Sequence, residues 1–227
     1  MGDSHTPPHR EIRERFVMTT SPSINGILSV LIRFAVYIGG IVGCTLIVYC
    51  DAQSSVCPFK ETSQVEIAQL MLLFVSTAIC LRIWRGRSVI RHAALLMGAF
   101  TCISFIRECD SFLDTYAFKG CWPLLVTVIL ALTGIHLWRH WQSLLNGLNR
   151  YLSTASCGLF MSGFLTTYVF SRLFGSKCLW EIALQDGYLK IAKTMAEECT
   201  ELLGYVFLLY AAIEMYVLAR QSLRAGK

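Results

Sequence analysis

Residues 193–216 read KTMAEECTELLGYVFLLYAAIEMY, and the reading of this stretch decides what kind of chain this is. From Leu202 onward it is apolar apart from Glu214, while Glu197, Glu198 and Glu201 crowd its start. A run of about 20 apolar residues is long enough to cross the hydrocarbon core of a bilayer as a helix. Ionisable groups at that depth are costly, so a cluster of them marks a site until shown otherwise. The run extends from Thr194 to Ala219, and five others of its kind precede it: Ile27 to Tyr49, Val65 to Trp84, Ile90 to Arg107, Trp122 to Trp141 and Leu152 to Phe174.

Composition agrees with that reading. Of the 227 residues 55% are hydrophobic and only 15% charged, and the mean hydropathy is +0.53, all outside the usual range of a water-soluble domain. The expected fold is all-α: a polytopic helical bundle of about six transmembrane helices over residues 27–219, with a cytoplasmic tail at 1–26 and another at 220–227. Ile41-Val42-Gly43-Cys44 resembles a lipoprotein cleavage box, but it lies in mid-span behind a polar tail, so the first run reads as a retained helix.

Basic residues set the expected orientation, because Lys and Arg near helix ends are retained in the cytoplasm. Thirteen of the twenty fall on the side of the termini, among them Arg82, Arg85, Arg87, Arg91, Arg139 and Arg150. Seven fall on the other: Lys60, Arg107, Lys119, Arg172, Lys177, Lys190 and Lys193. Acids divide the opposite way, so the net charge of +5 conceals a basic inner face and an acidic outer one. The inner face should meet anionic lipid headgroups, and no nucleic-acid partner is needed to explain it. Trp84, Trp138 and Trp141 at inner ends, with Trp122 and Trp180 at outer ends, fit an aromatic belt. Localisation in a bacterial inner membrane is the expectation, with both termini cytoplasmic.

The ten cysteines sort by the same map. Cys50, Cys57, Cys109, Cys121 and Cys178 fall on the outer side, where at least one disulfide is expected, with connectivity left open. Small residues suggest where helices approach: Gly39 and Gly43 form a GxxxG, and Gly158, Ser162 and Thr166 a stripe, read as packing within the bundle before oligomerisation. His136 and His140 share a helix face at the inner end and read as an interfacial, lipid-facing pair.

The charged residues around 107 and 197 carry the functional question. The third span ends in Arg107, Glu108, Asp110 and Asp114, and the sixth begins with Glu197, Glu198 and Glu201, so neighbouring helices would bring six carboxylates to one guanidinium. Glu201 lies about 6 Å deeper than Glu197, and must be protonated, paired with Arg107 or bound to a cation. Crowded carboxylates suit a hard divalent cation, with Glu108, Glu198 and Glu201 as its ligands. A structural ion-pair network is the plainer alternative, and an ion or substrate path a third. No nucleophile elbow, phosphate-binding loop or HExxH is present.

The pattern Arg107-Glu108-x-Asp110-x-x-x-Asp114, with Gly120-x-Trp122 and Glu197-Glu198-x-x-Glu201-Leu202, resembles that of a group of small, uncharacterised bacterial multi-span inner-membrane proteins. The resemblance implies that Arg107, Glu108, Asp110, Asp114, Glu197, Glu198 and Glu201 form one shared feature, and it implies no activity. The expected role is an accessory or structural membrane protein with an acidic polar site near the outer face and a protein partner or second copy as its contact. A metal-assisted enzyme acting on a lipid or envelope substrate is the alternative, and a cation- or proton-coupled transporter the third choice, since the inner halves of the spans offer almost no continuing polar path.

Overall fold

The computed structural model describes residues 24–53, 63–185 and 190–225. Among these the regular structure is entirely helical. The helices are α1 (Ile24–Ala52), α2 (Gln64–Arg85), α3 (Arg91–Glu108), α4 (Asp110–Tyr116), α5 (Cys121–Arg139), α6 (Trp141–Leu152), α7 (Ala155–Phe164), α8 (Ser171–Phe174), α9 (Lys177–Leu184) and α10 (Lys190–Ala225). A π-helical turn, Leu165–Phe170, joins α7 to α8.

Among the described residues five stretches are long and apolar enough to cross a membrane: Gly26–Ala52, Gln64–Arg85, Cys121–Arg139, Ala155–Phe174 and Lys190–Ser222. The third expected span, now α3, is helical over 18 residues, about 27 Å, yet it carries Arg91, Arg107 and Glu108. Its surroundings explain how: His92, Ala93, Ala94, Leu95, Met97, Gly98, Thr101 and Ser104 are all buried. A helix enclosed by other helices answers to protein contacts rather than to lipid, so its polar residues need partners more than they need removal.

The chain divides into two units within α1, at Gly39 and Gly40. In the first unit, none of residues 26–39 is buried, and Val30 and Phe34 are 65% and 62% exposed. An apolar helix with so little of its own chain around it requires lipid or another surface.

The second unit, Gly40–Lys227, is built around α10, whose Leu202, Tyr205, Leu208, Ala212 and Met215 are wholly buried at helical spacing. The core at one end joins Ala93, Ala94 and Met97 of α3 to Cys80 and Ile83 of α2, Cys157 of α7, and Ala211 and Met215 of α10. Backbone approach is closest where side chains are smallest. A Cβ on Gly98 would stand 2.9 Å from that of Cys80, and one on Gly163 would stand 2.8 Å from the carbonyl oxygen of Gly204. The stripe expected at Gly158 and Ser162 points outward instead, and a Cβ at Gly43 or Gly158 would meet nothing within 4 Å. The small residues that pack are Ser156, Gly163, Thr167 and Ser171, all buried on the opposite side of that segment.

Helix ends are set locally. The Ser63 hydroxyl accepts from the Glu66 amide at 3.2 Å, and the carboxylate of buried Asp51 accepts from the Gln64 amide at 2.8 Å. Together they satisfy two of the four open amides at the start of α2. Arg82 and Arg85 complement its other end. A further helix, α6, fills what the sequence suggested was a connection. Leu144, Gly147 and Tyr151 face inward while Gln142, Asn146, Asn149 and Arg150 face out, a pattern suited to lying in the membrane interface.

Of the cysteines expected on the outer side, Cys50, Cys109, Cys121 and Cys178 are free thiols, and Cys57 lies outside the described residues. Burial and the carboxylates of Glu108, Glu66 and Asp110 hold the Cys109 thiol above its usual pKa, which makes it a poor nucleophile. Alkylation without reduction, followed by mass spectrometry, is expected to find Cys109 and Cys121 unpaired, and a Cys109–Cys121 bridge would contradict this arrangement.

Candidate functional site

Glu201 is the centre of the site. It lies on α10 with its side chain 4% exposed. Ser171 and Arg172 reach it from α8, directly after the π-helical turn. The Ser171 hydroxyl donates to Glu201 Oε1 at 3.1 Å, and Arg172 Nη2 donates to the same oxygen at 2.6 Å. Arg107 of α3 approaches Oε2 at 3.9 Å. A π turn inserts one extra residue per turn and so rotates whatever follows it, which is why such turns recur where side chains must be aimed. Here the residues that follow are the two donors to Glu201.

Two further groups extend the network. Arg107 Nη2 donates to Glu108 Oε1 at 2.7 Å, Tyr205 Oη donates to the same oxygen at 2.6 Å, and the guanidinium lies 5.2 Å from the ring centre of Tyr168. The Tyr168 hydroxyl is hydrogen-bonded to Ser104 at 2.5 Å. On the more exposed side, Glu197 receives Arg172 Nη1 at 2.5 Å and Lys193 Nζ at 2.6 Å. Glu198 stands apart from the arginines and accepts from Gln69 Nε2 at 3.1 Å. Tyr205→Phe, which removes a donor to a carboxylate, is expected to cost about 1.5–3 kcal/mol, read as a lowered unfolding midpoint.

The expected convergence of six carboxylates on one arginine is therefore corrected in both directions. Glu108, Glu197 and Glu201 join the ion pairs and Glu198 borders them, but Asp110 and Asp114 do not take part. Asp110 begins the short helix α4, where its carboxylate accepts from the next amide. Asp114 is exposed and accepts from the Gly120 amide at 3.1 Å. Asp110→Asn and Asp114→Asn should each change stability by no more than about 0.5 kcal/mol, as thermal unfolding would read.

Arg172 and Lys193, which the sequence reading used only to orient the chain, supply the missing cations. Three cations, Arg107, Arg172 and Lys193, meet three carboxylates, Glu108, Glu197 and Glu201. Counting them reduces the surplus negative charge that argued for a bound cation and leaves Glu198, which accepts from Gln69, outside the ion pairs. Among the described residues no group of three or more His, Cys, Asp or Glu side chains is placed to hold a metal ion. Of the expected ligands, Glu108 accepts at Oε1 from Arg107 and Tyr205, Glu198 at Oε2 from Gln69, and Glu201 at Oε1 from Arg172 and Ser171.

The histidines also depart from expectation. His136 and His140 do not form a lipid-facing pair but stack with His92 of α3, at centroid distances of 5.7 Å and 5.1 Å, and with each other at 4.5 Å. Trp84 meets His136 edge-on, and the His140 Nδ1 lies 2.9 Å from the His136 carbonyl. The cluster joins α3 to α5 at the end of the unit away from Glu201. Compared with protein-family models, curated proteins and solved structures, the chain matches none.

Proposed function

We propose that this is a multi-span inner-membrane protein of accessory or structural role, with the charged network as a clamp that holds α3, α8 and α10 together near the outer face. The observation that carries the reading is Glu201: a buried carboxylate met by Arg172 at 2.6 Å, Ser171 at 3.1 Å and Arg107 at 3.9 Å, in ion pairs that join three cations to three carboxylates. A buried ion pair seldom adds stability over apolar packing, but it penalises every arrangement that separates its members, and so it specifies how helices dock. The basic residues on the side of the termini favour cytoplasmic ends, against anionic headgroups. The resemblance to small bacterial inner-membrane proteins rests on Arg107, Glu108, Asp110, Asp114, Gly120, Trp122 and the Glu197–Leu202 segment, of which Arg107, Glu108, Glu197 and Glu201 enter the clamp.

A clamp and a conduction path differ in what they let through. Proteoliposomes carrying a pH-sensitive dye, under a potassium diffusion potential, should be as tight to protons as protein-free vesicles. Flux through the wild type that Glu201→Gln abolishes would contradict the clamp and favour transport. Reporter fusions in the segment between Arg85 and Arg91 test the orientation, and an outer location for that segment would reverse it.

A further inference from the structure

Between α3, α6 and α7 runs an apolar groove of about 370 Å³, walled by Met97 and Phe100, Tyr151, and Phe160 and Phe164. Its one hydroxyl, on Tyr151, is turned to the Ser156 carbonyl at 3.2 Å, so nothing in the groove would anchor water or a polar ligand. The rim is also apolar: Leu96, Leu152, Met161 and Leu165 are 44%, 59%, 53% and 52% exposed. The α7 side runs from Cys157 to Leu165, about 12 Å of helix. That is close to one leaflet, half of a hydrocarbon core about 30 Å thick.

Charge identifies what would lie at the groove's mouth. Tyr151 and Leu152 line the end formed by α6, and exposed Arg150 precedes them. The chain has no Asp or Glu between Glu66 and Glu108, and none between Asp114 and Glu181. The helix ends and connections on this side therefore bring Arg82, Arg85, Arg87, Arg91, Arg139 and Arg150 without a carboxylate from the same stretches. An amphipathic helix with arginine on its polar face lies at the level of lipid headgroups and is drawn to anionic ones.

We propose that the groove binds one anionic phospholipid, with an acyl chain between α3 and α7 and its phosphate against the basic surface beside Arg150. The site is separate from the charged clamp and does not depend on its role. It requires only that the helices sit in a bilayer.

The test uses full-length protein in mild detergent, stripped of lipid and offered equal amounts of phosphatidylglycerol and phosphatidylcholine with identical chains, with native mass spectrometry as the readout. One phosphatidylglycerol should be retained in preference to phosphatidylcholine. Arg150→Gln should reduce that retention about fivefold, and Leu96→Trp, which fills the groove from its rim, should abolish it. Met161→Trp supplies a second block from the facing helix, and circular dichroism with the unfolding midpoint establishes that each variant is folded. Equal retention of the two lipids overturns the proposal, as does undiminished binding in both folded tryptophan variants. A dimer that Leu96→Trp dissociates would assign the groove to a second copy and overturn it as well.

Discussion

Arg172→Ala is expected to cost about 3 kcal/mol, the lower end for removing one partner of a buried ion pair. The side chain of Arg172 is 48% exposed, so its own desolvation is modest and water moderates the loss. Its removal nevertheless leaves Glu201, 4% exposed, with a hydroxyl and a guanidinium at 3.9 Å. Glu201→Gln in the same chain removes the stranded charge and should recover part of the loss. Arg107→Ala should couple less strongly to Glu201→Gln, because the 2.7 Å bond of Arg107 is to Glu108. Chemical unfolding of the single and double variants gives both coupling energies. A larger coupling for Arg107 than for Arg172 would reverse the order of partners.

Gly204→Ala should be as damaging, at about 3 kcal/mol, the upper end for overpacking. The added Cβ would overlap Thr167 Oγ1 and stand 3.1 Å from both the Gly163 carbonyl oxygen and Thr167 Cβ. These contacts are between backbones and a β-branched side chain, which have little room to yield. Thr167 Oγ1 is buried without a hydrogen-bond partner, so Thr167→Ala removes the obstruction at little polar cost. The double variant should therefore be more stable than Gly204→Ala alone. Additive losses would mean that the two helices are not this close.

The helices and their membrane-length spans were legible because apolar runs of 20 residues have few other readings, as the stretch from Thr194 to Ala219 illustrates. Three details were hidden for physical reasons. The amphipathic α6 is too short for a span, so its residues read as connection. The enclosed position of α3 depends on Gly98 and Ala94 meeting α2, a pairing between helices that hydropathy does not encode. The π turn at Leu165–Phe170 leaves no mark in composition, yet it precedes Ser171 and Arg172 where they meet Glu201.

The acidic half of the site was equally plain, since Glu197, Glu198 and Glu201 stand together in one helix turn. Its neutralisation was not. Lys193 is four residues before Glu197, a spacing that signals a helical ion pair, but Arg172 lies 29 residues from Glu201 and only the fold brings them together. Asp110 and Asp114 misled for the converse reason: they are adjacent in sequence to Arg107 and Glu108, but a separate short helix begins at Asp110.

The proposed clamp meets Glu108, Glu197 and Glu201 with the protein's own cations and requires no ion from outside. Thermal unfolding of purified wild type and Glu201→Gln, with chelator and with added magnesium, calcium or manganese, tests it directly, because a ligand of the folded state raises its unfolding midpoint by mass action. The wild-type midpoint is predicted to be the same in chelator and in each divalent ion. A midpoint that rises with one of these ions in the wild type, and not in Glu201→Gln, would contradict the account.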